Sequence, residues 1–203
     1  MNVVKRILMR AFGCPQGVLG SLGGTLMARM NRRMAQRASE LLDIQPSDKT
    51  LEVGFGPGVG IQLLARAVAS GWIAGIDPSE KMLEQARTRN AADIRAGRVE
   101  LRRGAADALP YEDATFDGVM AINSLQVWPD AVAGLREARR VLRPGGRVVL
   151  GFTPQSGQTK ENVTAALTTA GFADPRVVDL EEGYCVLAVN PGRSDRAASI
   201  ADR

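Results

Sequence analysis

The sequence predicts an α/β domain built on a doubly wound, mostly parallel seven-stranded sheet, with one antiparallel strand at its end and a helical N-terminal cap. Three observations lead there. Short apolar runs rich in β-branched residues alternate with longer runs of helical period. A glycine-rich turn, Gly54 to Gly60, follows the first strand-like run, and a carboxylate, Asp77, closes the second. Near the C-terminal end only Glu181, Glu182 and Gly183 separate two strand-like runs, too few residues for a parallel crossover, so that pair must be a hairpin.

The elements follow in order. Thr50 to Val53 reads as the first strand, and a helix from Val59 to about Ser70 follows its glycine turn. Trp72 to Ile76 forms the second strand. Ser79 is placed to cap a helix reaching about Ala96, because its hydroxyl can accept from a free amide of the first turn. Val99 to Leu101 and Phe116 to Ile122 are the third and fourth strands. A helix over about Asp130 to Leu142 stops at Arg143-Pro144-Gly145-Gly146, where proline and glycine both interrupt it. Arg147 to Phe152, rich in valine and leucine, reads as a strand buried on both faces. A helix around Lys160 to Ala170 and the hairpin strands Arg176 to Leu180 and Tyr184 to Val189 complete the domain. The expected division is a basic helical extension over 1–46, the α/β domain over 47–190 and a polar, frayed tail over 191–203.

Composition removes several kinds of chemistry. The chain of 203 residues has two cysteines, Cys14 and Cys185, and no histidine. The common zinc motifs and Ser-His-Asp or Cys-His catalysis are therefore excluded, no disulfide framework is expected, and no metal site is assigned. Lys5, Arg6 and Arg10 interrupt the first apolar stretch, so neither a signal peptide nor a membrane span is expected, and a cytoplasmic location is. Up to Gln45, seven basic residues (Lys5, Arg6, Arg10, Arg29, Arg32, Arg33, Arg37) stand against Glu40 and Asp43. The excess reads as solvated helix faces, with an anionic partner as the alternative. Two Trp, two Tyr and five Phe offer no aromatic stacking set, so nucleic acid is not expected as a partner.

Chemistry concentrates at two places. In Glu52-Val53-Gly54-Phe55-Gly56-Pro57-Gly58 the glycines allow close backbone approach and present amides at a helix N-terminus. The spacing departs from the dinucleotide fingerprint, which would want glycine or alanine where Val59 stands. Glu52 is placed to accept from a cationic amino group, and Pro57 removes an amide that a pyrophosphate would use. Asp77, nineteen residues beyond Gly58, suits both ribose hydroxyls of a nucleoside. Its competing role is a helix N-terminal acid before Pro78-Ser79.

These residues, with Gly75-Ile76-Asp77-Pro78-Ser79, Gly104-Ala105-Ala106-Asp107-Ala108-Leu109-Pro110-Tyr111, Phe116-Asp117-Gly118-Val119 and Leu142-Arg143-Pro144-Gly145-Gly146, resemble the ordered motifs of class I S-adenosylmethionine-dependent methyltransferases, which have a Rossmann-like fold. The nearest resemblance is to the ubiquinone/menaquinone-biosynthesis type, over about Thr50 to Val189. It implies S-adenosylmethionine as cofactor and S-adenosylhomocysteine as product. It implies that Glu52, Gly54, Phe55 and Gly56 hold the methionine part and that Asp77 takes the ribose. Pro78, Met82, Ala105 and Ala106 would then serve the adenine, with the Ala106 amide facing the ring. Asn123, ending strand four, would line the methionine end by its backbone and face the acceptor. Ala105 departs from the family's usual acid at that place, which leaves adenine to packing and backbone contacts unless Asp107 reaches it.

The implied reaction is in-line methyl transfer to a small-molecule or lipid-like acceptor, aligned and shielded from water by the protein. No catalytic base is fixed by the sequence; Asn123, Ser124, Gln126 and Trp128 follow strand four toward the acceptor, although Trp128 also suits packing at a helix start. Only Thr153 to about Thr159 separate strand five from the next helix, too little for a lid, so residues 14–40 are expected to cap the site. Val3, Val4, Ile7, Leu8, Ala11 and Phe12 form one apolar face within residues 2–12, opposite Asn2, Lys5, Arg6 and Arg10. That face would pack on its own domain, on a second subunit of a homo-oligomer, or on an anionic membrane. Met27, Met30 and Met34, at helical spacing, read as core. A cofactor-binding protein without transfer activity and an NAD-dependent oxidoreductase remain as alternatives.

Overall fold

The computed structural model describes residues 32–192. The apolar face of 2–12, Cys14, Met27, Met30 and the tail from 193 onward lie outside the described residues.

Seven strands form one sheet: β1 (Lys49–Val53), β2 (Trp72–Asp77), β3 (Val99–Arg103), β4 (Phe116–Ile122), β5 (Leu142–Phe152), β6 (Ala173–Leu180) and β7 (Gly183–Val189). Their order is β3-β2-β1-β4-β5-β7-β6. All neighbours are parallel except β7, which runs against both β5 and β6. The hairpin is as expected, but its antiparallel strand is inserted between β5 and β6, so β6 takes the edge. The heavily buried Tyr-Cys-Val-Leu-Ala run of β7 goes to the interior, and the alternating, half-exposed β6 goes to the rim.

Helices cover both faces. On one lie α1, whose described part runs over 32–42, α2 (Val59–Ala67) and α3 (Glu80–Arg89). They bury Met34, Ala38, Leu42, Ile61, Leu64 and Leu83 against Ile73, Met120, Val149 and Cys185. On the other, α5 (Ala131–Val141) and α6 (Lys160–Thr169) bury Leu135, Ala138, Val163 and Leu167 against Leu51, Val53, Val119 and Leu150. The short α4 (Ala91–Arg95) buries none of its residues. Leu51 and Val53 thus face one side and Glu52 the other, as the pleat requires. Met34, expected as core, is fully buried, and Ala38 and Leu42 of α1 join the same core cluster.

Boundaries shift where backbone partners decide them. The helix expected to reach Ser70 ends at Ala67, and the Ser70 and Gly71 amides both turn to the Pro46 carbonyl. The helix expected to run from Ser79 to Ala96 breaks at Asn90, whose side-chain amide takes the Ala86 and Gly58 carbonyls. The Ser79 cap is as expected, its hydroxyl accepting from the Met82 amide at 3.3 Å. Strand β5 begins at Leu142, five residues early, through a register irregularity opposite Phe116–Gly118 that accommodates Pro144.

Candidate functional site

The strand order reverses between β1 and β4, the place where parallel α/β sheets open a crevice at their carboxyl ends. The turn after β1 lies there. Gly54, Gly56 and Gly58 all adopt positive φ (78°, 52° and 79°). Gly54 is also wedged, since a Cβ there would stand 2.4 Å from the Ser124 Cβ. Ser124, just after β4, donates from Oγ to the Val53 carbonyl at 2.8 Å and so ties the two strand tips together. The Gly58 carbonyl is held by Asn90 and the Pro57 carbonyl by Arg89. By contrast, a Cβ on Gly56 would meet nothing within 4 Å. That glycine faces open space.

Glu52 and Asp77 arise from one face of the sheet. Glu52 pairs in register with Gly75, two residues before Asp77, so both carboxylates point toward α2 and α3. Asp77 is 6% exposed and anchors the turn: Oδ2 accepts from the Gly56 amide at 2.8 Å and Oδ1 from the Ser79 amide at 2.9 Å. Burial raises its pKa, and those two amides pull it back. Glu52 is 3% exposed and lies against Gly60, where a Cβ would come within 2.1 Å of its Oε1. It accepts from the Ile61 amide in the first turn of α2, but its Oε2 is buried without a hydrogen-bond partner. Burial, and next the Asp77 charge, push its pKa well above the ordinary carboxylate range. A buried, half-satisfied carboxylate beside a second acid is a site built for a positively charged group.

The remaining expected residues divide. Met82 is buried in the first turn of α3, and Pro78 is exposed beside Asp77, its carbonyl accepting from Arg103. Ala105 is exposed, while Ala106 is buried near Gly134 of α5. Phe55 turns its ring into the core against Gly75 and Ile61, so only its backbone belongs to the turn. Asn123 has φ of 48° and is half-buried, its Oδ1 accepting from the Thr153 amide at 2.9 Å. Its carbonyl accepts from Gln126 Nε2 at 2.7 Å. Trp128 packs on Gly134. Asn90 and Arg89, which fasten the turn, carry no motif of their own; Ser124, expected to face the acceptor, is instead buried and spends its hydroxyl on the Val53 carbonyl.

No thiol or phenol among the described residues is poised as a base. Burial pushes the Cys185 thiol up to about 12, and likewise the Tyr111 phenol up to about 12.

Residues 51–150 match the family model described as "Methyltransferase domain". The chain is 29% identical to the uncharacterized methyltransferase YdaC of Bacillus subtilis (strain 168), over 79% of this chain and 87% of that one. It is 32% identical to the ubiquinone/menaquinone biosynthesis C-methyltransferase UbiE of Geotalea daltonii, over 64% of this chain. The chain carries a class I S-adenosylmethionine-dependent methyltransferase domain over residues 51–150. It spans 55% of that UbiE's length. A methyltransferase structure from Aquifex aeolicus superposes with a TM-score of 0.69 at 21% identity, over 78% of this chain and 92% of that one, and shows the same fold. The cofactor of this methyltransferase family is S-adenosylmethionine, and the residues present fit it: an unmet buried carboxylate oxygen, a second carboxylate at the tip of β2, and open space at Gly56 between them in sequence.

Proposed function

We propose that this chain transfers the methyl group of S-adenosylmethionine to a small-molecule or lipid-like acceptor in the cytoplasm, with Glu52, Gly54, Gly56, Asp77, Pro78, Met82, Ala105, Ala106 and Asn123 around the cofactor. The observation that carries the reading is the unmet Oε2 of Glu52, buried on the same sheet face as Asp77. Glu52 would accept from the amino group of the methionine part, and Asp77, already fixed by two amides, from the ribose hydroxyls. Phe55 contributes backbone only. When bound, the sulfonium supplies an electrophilic methyl and a good leaving group, so the protein's part is alignment and exclusion of water. Positive charge beside the turn, from Arg89 and the nearby Arg32, suits the cofactor's carboxylate.

Acceptor contacts fall to the residues before α1. Met34 packs on Gly151 near the carboxyl end of β5, whereas Leu42 packs on Gly118 near the start of β4. The described part of α1 therefore begins at the site edge of the sheet and leads away from it. Of the segment 14–40, residues 32–40 lie in this helix, which leaves 14–31 as the capping part.

The test is a screen of small phenols, quinols, amines and fatty acids, scored by S-adenosylhomocysteine release and product mass. Product in which a methyl group has replaced a hydrogen is expected, with turnover lost and S-adenosylhomocysteine affinity kept when residues 1–31 are removed. Cofactor binding with no release on any acceptor would favour a binding protein without transfer activity. Unchanged turnover after the deletion would remove the capping role.

A further inference from the structure

Helix α5 carries a clamp that reaches into the loop between β3 and β4. Glu137 Oε2 accepts from the Leu109 amide at 3.0 Å, and Arg140 donates to the Leu109 carbonyl from Nη2 at 2.9 Å and to the Tyr111 carbonyl from Nη1 at 2.8 Å. The two side chains also lock to each other, Nε to Oε1 at 2.7 Å and Nη2 to Oε2 at 2.8 Å. Asp113 accepts a further bond from Arg140 at 2.9 Å. Both backbone groups of Leu109 are thus held by one ion pair on a rigid helix. Only a planar fork with several donors can bridge two carbonyls and two carboxylates together.

The held stretch begins at Gly104, whose amide bonds to the Asp77 carbonyl, and includes Ala105 and Ala106. It is therefore fastened to the ribose carboxylate's own backbone at one end and to α5 at the other. Ala105 supplies no side-chain hydrogen bond for a nucleobase, which leaves that position's part in base recognition to the placement of the backbone. We infer that Glu137 and Arg140 are positioning residues for nucleobase selectivity: by fixing Leu109 and Tyr111, they set the Ala106 amide where it meets the adenine edge.

The inference rests on the proposed cofactor site, and the test separates the two. S-adenosylhomocysteine and its hypoxanthine analogue, S-inosylhomocysteine, are titrated into the full chain and into Arg140→Met, Arg140→Lys and Glu137→Gln. The analogue carries a ring N–H where adenine carries an acceptor, so a fixed amide donor should reject it by about tenfold or more in the native protein. Arg140→Met is expected to weaken S-adenosylhomocysteine about tenfold and to bring the ratio of the two affinities toward one. Arg140→Lys should fall between, and Glu137→Gln, which keeps an acceptor for the Leu109 amide, should retain most of the ratio. Hydrogen exchange at the Leu109 amide should quicken in Arg140→Met, and thermal unfolding shows that the variant is folded. A folded Arg140→Met with the native ratio overturns the clamp, as does a variant whose affinities for both ligands fall equally. If the native protein fails to bind S-adenosylhomocysteine, the cofactor reading fails first; if it binds without discriminating, the placement of adenine on this loop fails.

Discussion

Two glycines in the same turn carry different burdens. Gly54 combines positive φ with a wall, the Ser124 Cβ, whereas Gly56 has positive φ and open space. Gly54→Ala should therefore destabilise the fold by about 2 kcal/mol or more, through strain and overlap together. Gly56→Ala should cost only about 1 kcal/mol of conformational strain but place a methyl group in the crevice and weaken S-adenosylhomocysteine. Urea unfolding and ligand titration of both variants check this; equal stability losses with equal affinity losses would contradict it. Glu52 gives a pH dependence of definite sign. Its proton is held more tightly in the folded, ligand-free protein than in the unfolded chain, whose glutamate value is 4.5. The stability it contributes is complete below that value and is lost as pH rises through the raised folded pKa. Replacing it by glutamine removes this loss, so Glu52→Gln should gain in melting temperature relative to the native protein between pH 5 and pH 8. A difference that stays constant across that range would show Glu52 ionised in the free protein.

Among the elements, α1 does the least expected work. Its basic residues are read from the sequence as solvated faces, and Arg33 and Arg37 are indeed exposed, yet its other face closes one layer of the core through Met34, Ala35, Ala38 and Leu42. Met34→Ala should cost about 2–5 kcal/mol of unfolding free energy, as truncation of a fully buried methionine does elsewhere. A loss below about 1 kcal/mol would mean that α1 is a peripheral cover. Strand and helix types were legible because periodicity records which face is buried. Their ends were not, because ends are set by distant partners: Asn90 reaching Gly58, Pro46 receiving Ser70 and Gly71, and β7 slipping between β5 and β6.

Over the whole molecule, the glycine turn and the two buried acids are what the sequence expressed most openly, since they follow each other along the chain. What it hid is everything that fixes the site from another element. Ser124 joins β4 to β1, Asn90 joins α3 to the glycine turn, and Glu137 with Arg140 joins α5 to the loop after β3, across separations of 71, 32 and 28 to 31 residues. Fastened in this way, the crevice sets the unmet Glu52 Oε2 and the amide-held Asp77 on one face of the sheet, and we propose that one cationic nucleoside is held between them. Isothermal titration of S-adenosylhomocysteine and of NAD, each into the native protein and into Asp77→Asn, tests that claim most directly. Binding of S-adenosylhomocysteine alone is expected, weakened about tenfold or more in the variant, as loss of a hydrogen bond to a charged group implies. Tight NAD binding, or an affinity for S-adenosylhomocysteine that Asp77→Asn leaves unchanged, would contradict it.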